Sequence, residues 1–286
     1  MTRTATPDDF DAVLALFTRW AAEVDETPLT RGLLESEWST PGFDPRRDHW
    51  LVEREDEVAG YAALKVGGGV TARGEVAELL PHAESRARER GDELLEAIMT
   101  TRDARLVEAF EAAGWARPRD VHRMWLSLDV EPPEPRLPDG VAVRPYTPDD
   151  ARRLHAFLEL AYAQNNERVD PFEAWLHFMT AETDFDGRFW HLAVADGELV
   201  ACALTWAPYE GGGWVKDLAV HPEHRRRGLG EALLHHAHRT YRAAGATRVG
   251  LKVDSDNPTR AGRLYERLGY ATDRIYAIFT REVSTP

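Results

Sequence analysis

The chain has one cysteine, Cys202, among 286 residues. No disulfide can close within it, and so sparse a use of thiols fits a reducing compartment. Long apolar runs are missing too: no stretch approaches the roughly 20 residues that cross a bilayer. The N-terminal MTRTATPDDF lacks the apolar centre of a signal peptide. A cytoplasmic protein that works away from the membrane is expected. Positive charge is short, with 35 Lys and Arg against 49 Asp and Glu and a formal net charge of −14. That balance opposes nonspecific association with nucleic acid or an anionic membrane surface. Two common phosphate-binding loops are also missing. G-x-G-x-x-G fails because Leu233 stands where the third glycine belongs, and G-x-x-x-x-G-K-[ST] fails for want of a Gly-Lys step.

What remains is an ordinary globular composition, 43% hydrophobic and 29% charged, at a length comfortable for two domains. Cys202 lies in the strand-like run LVACALTW and reads as a small core residue, not a nucleophile. The chain repeats itself. Thr6-Pro7-Asp8-Asp9 returns as Thr147-Pro148-Asp149-Asp150, an offset of 141, and each copy precedes an amphipathic helix, Phe10 to Val24 and Ala151 to Ala163. Gly67-Gly68-Gly69 returns as Gly211-Gly212-Gly213, offset 144, Gly91 as Gly245, offset 154, and Phe110 as Tyr265, offset 155. The offset jumps by ten between the glycine triplet and Gly91, which locates a deletion in the first half. Asp129 to Gly140, DVEPPEPRLPDG, holds four prolines and no apolar periodicity, as a stiff linker does. Domains are expected over residues 1–130 and 141–286, joined by 131–140.

The deletion falls where the second half carries Val215 to Gly230, VKDLAVHPEHRRRGLG. This reads as a short strand, a Pro-containing turn, a run of cations and a Gly-x-Gly step into a helix. A strand-to-helix turn leaves unpaired N–H groups at the positive end of a helix dipole. Gly228 and Gly230, without Cβ atoms, let a polyanion approach that backbone, and a diphosphate is the natural occupant. Arginines on a turn are by themselves ordinary solvated surface. The flanking strand and glycines make these a candidate site. Downstream, Leu229, Leu233, Ala237, Tyr241 and Ala244 form a helical apolar stripe, with Gly245 at its C-cap. Val249, Leu251 and Val253 alternate as in a strand, and Asp256-Asn257-Pro258 opens a second helix that stops at Gly269. A last strand covers about Tyr270 to Arg281.

Arg225-x-x-Gly228-x-Gly230 after Leu218-Ala219-Val220 resembles the acetyl-coenzyme-A loop [QR]-x-x-G-x-[GA] of the GCN5-related N-acetyltransferases (GNAT). Asn257, Ala261, Leu264, Tyr265, Gly269 and Tyr270 resemble the same family's final helix. The likeness is detailed in the second half and an outline in the first, and the tandem arrangement is similar to the mycothiol-synthase group. It implies an α+β protein of two tandem GNAT folds, each a mixed, mostly antiparallel sheet flanked by helices. It further implies acetyl-CoA as cosubstrate and transfer of acetyl to the primary amine of a small molecule. By the same resemblance, the backbone of Leu218, Ala219 and Val220 pairs with the pantetheine arm. Arg225, Arg226, Arg227, Gly228, Leu229, Gly230 and Glu231 hold the diphosphate, and Asn257 contacts the coenzyme. Tyr265 sits near the sulfur as general acid.

A protonated amine must lose a proton before it can attack. Many family members place a glutamate early in the strand, where this chain has Trp214. Asp217 is the nearest carboxylate and the candidate base, with His221 a weaker one. The competing role for Asp217 is a strand-end ion pair with Lys216 or an arginine. Asn165, Asn166 and Glu167, in a polar stretch after the first helix of the second half, are candidate substrate contacts, the alternative being an ordinary polar loop. His235, His236 and His238 lack a third ligand at matching spacing, so no metal is expected and exposed side chains are. The first half, with VTARGEVAELL in place of the loop and Phe110 in place of Tyr265, is expected to lack a coenzyme site. A noncatalytic acetyl-CoA sensor or scaffold is the rival from another class.

Overall fold

The same clasp opens each half. Thr6 and Thr147 each begin a 3-10 turn with a reciprocal capping box to Asp9 and Asp150. Each aspartate is also gripped by a guanidinium six residues upstream: Arg3 at 2.7 and 2.6 Å, Arg144 at 2.7 and 2.5 Å. Bidentate pairing with Arg3 brings the Asp9 carboxyl down to about 2, and Arg144 lowers that of Asp150 in the same way. The repeat seen in sequence is thus a repeat of one local device.

The computed structural model describes residues 1–163, 169–180, 185–209, 212–257 and 261–283. The first half runs β1 (Thr2–Thr4), α1 (Phe10–Glu23), α2 (Arg31–Trp38), β2 (His49–Arg54), β3 (Glu57–Leu64), β4 (Val70–Gly74), α3 (Leu80–Arg90), β5 (Leu94–Thr100), α4 (Ala104–Ala112) and β6 (Ala116–Ser127). The second runs β7 (Val141–Pro145), α5 (Ala151–Tyr162), α6 (Phe172–Thr180), β8 (His191–Ala195), β9 (Glu198–Tyr209), β10 (Gly212–Val220), α7 (Leu229–Ala243), β11 (Arg248–Asp254), α8 (Ala261–Arg267) and β12 (Ala271–Glu282). Among the described residues no helix is long and apolar enough to cross a membrane.

Two compact units interleave along the chain. One comprises Met1–Val121, Glu173–Thr183 and Ile275–Pro286; the other comprises His122–Phe172 and Asp184–Arg274. In the first unit β1, β2, β3 and β4 are antiparallel neighbours. Gly69, just ahead of β4, makes a single parallel bridge to Glu96 of β5, and β5 pairs antiparallel with Tyr276–Glu282 of β12. Alternation along the strands feeds two cores. Leu51, Tyr61 and Ala63 pack with Val13, Phe17 and Leu34 from α1 and α2; Val52, Ala62 and Leu64 pack with Leu80, Ala83, Leu106 and Phe110 from α3 and α4.

In the second unit the order is β12-β6-β11-β10-β9-β8-β7, with only the start of β12 up to Arg274 and the part of β6 from His122 belonging to it; it is antiparallel from β7 to β10 and parallel between β10 and β11. Each unit is therefore a mixed, mostly antiparallel sheet flanked by helices. The stripe of α7 is buried at Leu229, Leu233, Ala237 and Tyr241. Ala244 corrects the expected stripe: the helix ends at Ala243, and Ala244 is its exposed C-cap. Gly245, at φ +86°, turns the chain out of the helical path there.

Candidate active site

Four backbone hydrogen-bond registers pair β10 with β11, from Gly212–Arg248 to Val215–Leu251. The pairing ends there, although β10 continues to Val220 along β9. A β-bulge explains the divergence. Val215 pairs with Thr205 and Asp217 with Leu204, so Lys216 is the extra residue that bends β10 away from its parallel neighbour. The edge of Leu218, Ala219 and Val220 on the β11 side thereby opens into a wedge.

Beyond the wedge the chain makes a 3-10 turn, Pro222–His224, capped by His221, whose Nδ1 accepts from the Glu223 amide at 3.3 Å. Arg226 (φ +61°) and Gly228 (φ +82°) are both left-handed, and Gly228 is the N-cap of α7. Left-handed residues alternating along a turn point successive N–H groups to one side, which makes an anion-binding concavity. The first helical amide with an in-helix acceptor is Ala232, bonded to the Gly228 carbonyl at 3.0 Å. The amides of Leu229, Gly230 and Glu231 precede it and add to the positive end of the dipole.

The arginines divide their work. Arg225 donates from Nη2 to the Ala161 carbonyl at 2.8 Å and from Nε to that of Val220 at 3.2 Å, tying the loop to the ends of α5 and β10. Arg226 and Arg227 are exposed, the latter 3.2 Å from Nδ1 of His224. The two glycines also differ. A Cβ on Gly228 would meet nothing within 4 Å, so its left-handed backbone, and not crowding, selects glycine. A Cβ on Gly230 would touch Leu218, Leu264 and Val220 at 3.7–3.9 Å, ordinary contact that an alanine satisfies.

Asp217 sits just past the bulge. The Tyr162 hydroxyl at the end of α5 donates to its Oδ1 at 3.0 Å, and Lys216 Nζ lies 3.9 Å from Oδ2. Trp214 is half-buried, its ring edge-to-face with Trp125 at 5.7 Å. Tyr265 is 6% exposed on α8 and stacks edge-to-face on Tyr270, with ring centroids 5.7 Å apart. Asn257 is half-buried, and its amide donates to the Asp254 carbonyl at 3.2 Å. Asn165, Asn166 and Glu167 lie outside the described residues.

The histidines require a correction. His235 and His238 are 8% and 2% exposed, not solvated, because both fall on the sheet-facing side of α7. His238 Nε2 is 2.7 Å from the Tyr270 hydroxyl. Burial and the neighbouring His235 push the His238 pKa down to about 3, so the ring is neutral and accepts from or donates to that hydroxyl without charge. Only His236 is intermediate in exposure. Sequence reasoning also passed over Tyr162 and Trp125, and placed Tyr241 only as an apolar stripe residue. The Tyr241 hydroxyl receives the Trp214 amide at 3.1 Å and lies 3.0 Å from the Trp214 carbonyl, fixing the backbone ahead of the bulge. Its ring fills the space a Cβ on Gly213 would take, at 2.3 Å. Cys202 is buried and its thiol pKa is raised by desolvation, as a core residue requires.

The corresponding part of the first unit is built differently. Gly74 leads through Glu75 and Glu78 into α3, with no arginine cluster. Glu75 donates its amide to the Ala59 carbonyl at 3.0 Å, and its own carbonyl lies 2.0 Å from where a Cβ on Gly60 would be. Phe110, opposite Tyr265 in the repeat, is fully buried against Trp115 and Phe279.

A splayed pair of parallel strands, with a nest of amides where one of them turns into a helix, offers an extended edge and an anion site side by side, as an acyl-CoA-dependent acetyltransferase requires. Residues 152–270 match the model of the acetyltransferase (GNAT) family. The chain is 33% identical, over 97% of its length and 93% of the relative's, to a mycothiol acetyltransferase of Streptomyces avermitilis. It is 37% identical to another of Kineococcus radiotolerans, over 79% of this chain and 80% of that one. Among solved structures, a GCN5-related N-acetyltransferase from Sphaerobacter thermophilus superposes with a TM-score of 0.76 at 24% identity, covering 100% and 96% of the two chains. A tandem GNAT protein from the clavulanic acid biosynthesis pathway gives 0.68 at 18%, covering 100% and 98%. The chain belongs to the GNAT acetyltransferase family and is an acetyl-CoA-dependent N-acetyltransferase.

Proposed function

We propose that the second half carries out the transfer to a small-molecule primary amine and that the first half is the same fold without a coenzyme site, retained for structure. The observation that carries this reading is the wedge between β10 and β11 opening directly into the amide nest at Arg226 to Glu231. The open side of Gly228 fits a diphosphate there, and the edge of Leu218, Ala219 and Val220 that β11 leaves fits the pantetheine arm. The acetyl thioester supplies the electrophilic carbon. Asp217 takes a proton from the incoming ammonium, freeing the nitrogen lone pair to form the C–N bond. As the C–S bond breaks, Tyr265 gives its proton to the sulfur and the nitrogen gives up its second proton to solvent to leave the neutral amide; solvent then reprotonates Tyr265 and takes the proton from Asp217. Asn257 steadies the coenzyme, and Asn165, Asn166 and Glu167 are the proposed acceptor contacts on sequence grounds alone.

In the first unit, the carboxylates of Glu75 and Glu78 replace cations at the equivalent turn, and Phe110 offers no hydroxyl. Both features oppose binding of a diphosphate and protonation of a thiolate. The relatives named mycothiol acetyltransferase favour a second, narrower reading, in which the amine is mycothiol without its acetyl group. A single buried cysteine supports a cytoplasmic setting. Acetyl transfer to a panel of small amines that includes deacetylated mycothiol tests both. Turnover restricted to that compound selects the narrower reading. Consumption of acetyl-CoA with none of the amines, despite normal coenzyme binding, would remove the acceptor assignment and the roles of Asp217 and Tyr265.

A further inference from the structure

The bulge at Lys216 changes which side chains share a face. In an unbroken strand Val215 and Asp217 would point the same way. Here Val215 packs into the core formed by Leu234 and Tyr241 of α7, and Leu218 packs on the same side. Asp217, between them, instead meets Tyr162 of α5 on the opposite face. Trp214 is on that opposite face too, because its neighbour Gly213 faces the Tyr241 ring. One inserted residue thus brings Trp214 and Asp217 to a single face, their Cα atoms no more than about 10 Å apart at roughly 3.3 Å per residue.

That face is shaped around flat rings. A Cβ on Gly250 would come within 2.8 Å of both Trp125 and Trp214, so the absent side chain leaves room for two indoles. Gly212 is likewise tight against Trp125. The indoles meet at an interplanar angle of 68°, and the Arg248 guanidinium covers Trp125 at 4.3 Å. Both tryptophans are only half-buried. The corner between them is therefore an apolar wall on the same face as a carboxylate; with Arg248 already over Trp125, an incoming cation is drawn by the Asp217 charge and by the indole of Trp214.

We infer that Trp214 and Trp125, together with Asp217, form the acceptor subsite and select a primary amine carried on a ring with a flat apolar face. This inference rests on the role of Asp217 proposed above and adds the shape of the acceptor. An aromatic ring and the CH face of a sugar share this chemistry, and the two are separable by experiment.

The full chain saturated with coenzyme A is titrated with benzylamine, glucosamine and n-butylamine by ligand-observed NMR, and the same amines are offered for acetylation. At least one of the ring amines is expected to bind tenfold or more tightly than n-butylamine, and which of them does so distinguishes an aromatic from a sugar ring. Trp214→Leu should reduce that preference at least fivefold through KM, with acetyl-CoA affinity intact, and Trp214→Phe should restore most of it. Equal binding of ring and chain amines, or a preference that survives in folded Trp214→Leu, overturns the inference. Selective ring binding without acetylation of any amine supports the subsite and instead overturns the catalytic roles given to Asp217 and Tyr265.

Discussion

Two glycines two residues apart carry opposite expectations, and the pair makes a sharp test of the loop. Gly228 is the left-handed N-cap of α7 at φ +82°, with open space around the position of a Cβ. An alanine there meets no atom within 4 Å but is held in a backbone region that costs an L-residue about 1–2 kcal/mol. If the nest must keep that conformation to hold the diphosphate, the cost appears in binding, as roughly 5- to 30-fold weaker acetyl-CoA affinity. Gly228→Val adds a β-branched side chain at the same φ and should lose binding altogether. Gly230→Ala meets three side-chain carbons at 3.7–3.9 Å in ordinary contact, so affinity should change less than twofold. Calorimetric titration of the three variants, with circular dichroism to confirm folding, reads the contrast. Equal loss at both positions, or none at Gly228, would refute the nest as the anion site.

Tyr265→Phe should leave acetyl-CoA affinity nearly unchanged while lowering kcat at least tenfold; equal turnover removes the hydroxyl from the mechanism. Arg225→Leu should weaken coenzyme binding severalfold although the side chain is tied to the Val220 and Ala161 carbonyls, and restoring that tether with Lys should recover only part, because only Arg offers the two-pronged donor. Gly213→Ala forces a methyl to within 2.3–2.4 Å of the Tyr241 ring and should cost about 1–3 kcal/mol of stability in urea unfolding. Stability should also fall on acidification, because burial holds His238 and His191 down to about 3 and about 4 in the folded chain, against about 6.5 unfolded. Their contribution is complete above pH 6.5 and declines below it, by roughly 1.4 kcal/mol per pH unit for each until the folded value is reached. Urea midpoints that stay constant from pH 7.5 to 5 would contradict their burial as neutral rings.

Much of the second half could be read directly from spacing. The stripe from Leu229 to Tyr241 and the alternation Val249, Leu251, Val253 gave α7 and β11 their type and face, because helical and strand periods differ enough to separate them. The twin Thr-Pro-Asp-Asp segments revealed the repeat because each is a complete local device, cap and all. Features set by distant partners were not legible. His235 and His238 looked polar in the chain, yet His238 is satisfied by a tyrosine hydroxyl 32 residues on. The bulge was hidden because VKDLAV keeps a strand's composition whether or not Lys216 is paired, and only the register with β9 exposes it. The motif admits alanine at Gly230 but not at Gly228, and the backbone angle of Gly228 supplies the physical reason that sequence could not.

The proposed diphosphate cradle at the start of α7 is tested most directly by a crystal structure of the full chain grown with saturating acetyl-CoA. The expected density places one coenzyme per chain, its diphosphate oxygens against the amides of Arg226 to Glu231 and its thioester in the wedge beside Asp217. A coenzyme bound instead in the first unit, at the turn of Glu75 and Glu78, would contradict the account.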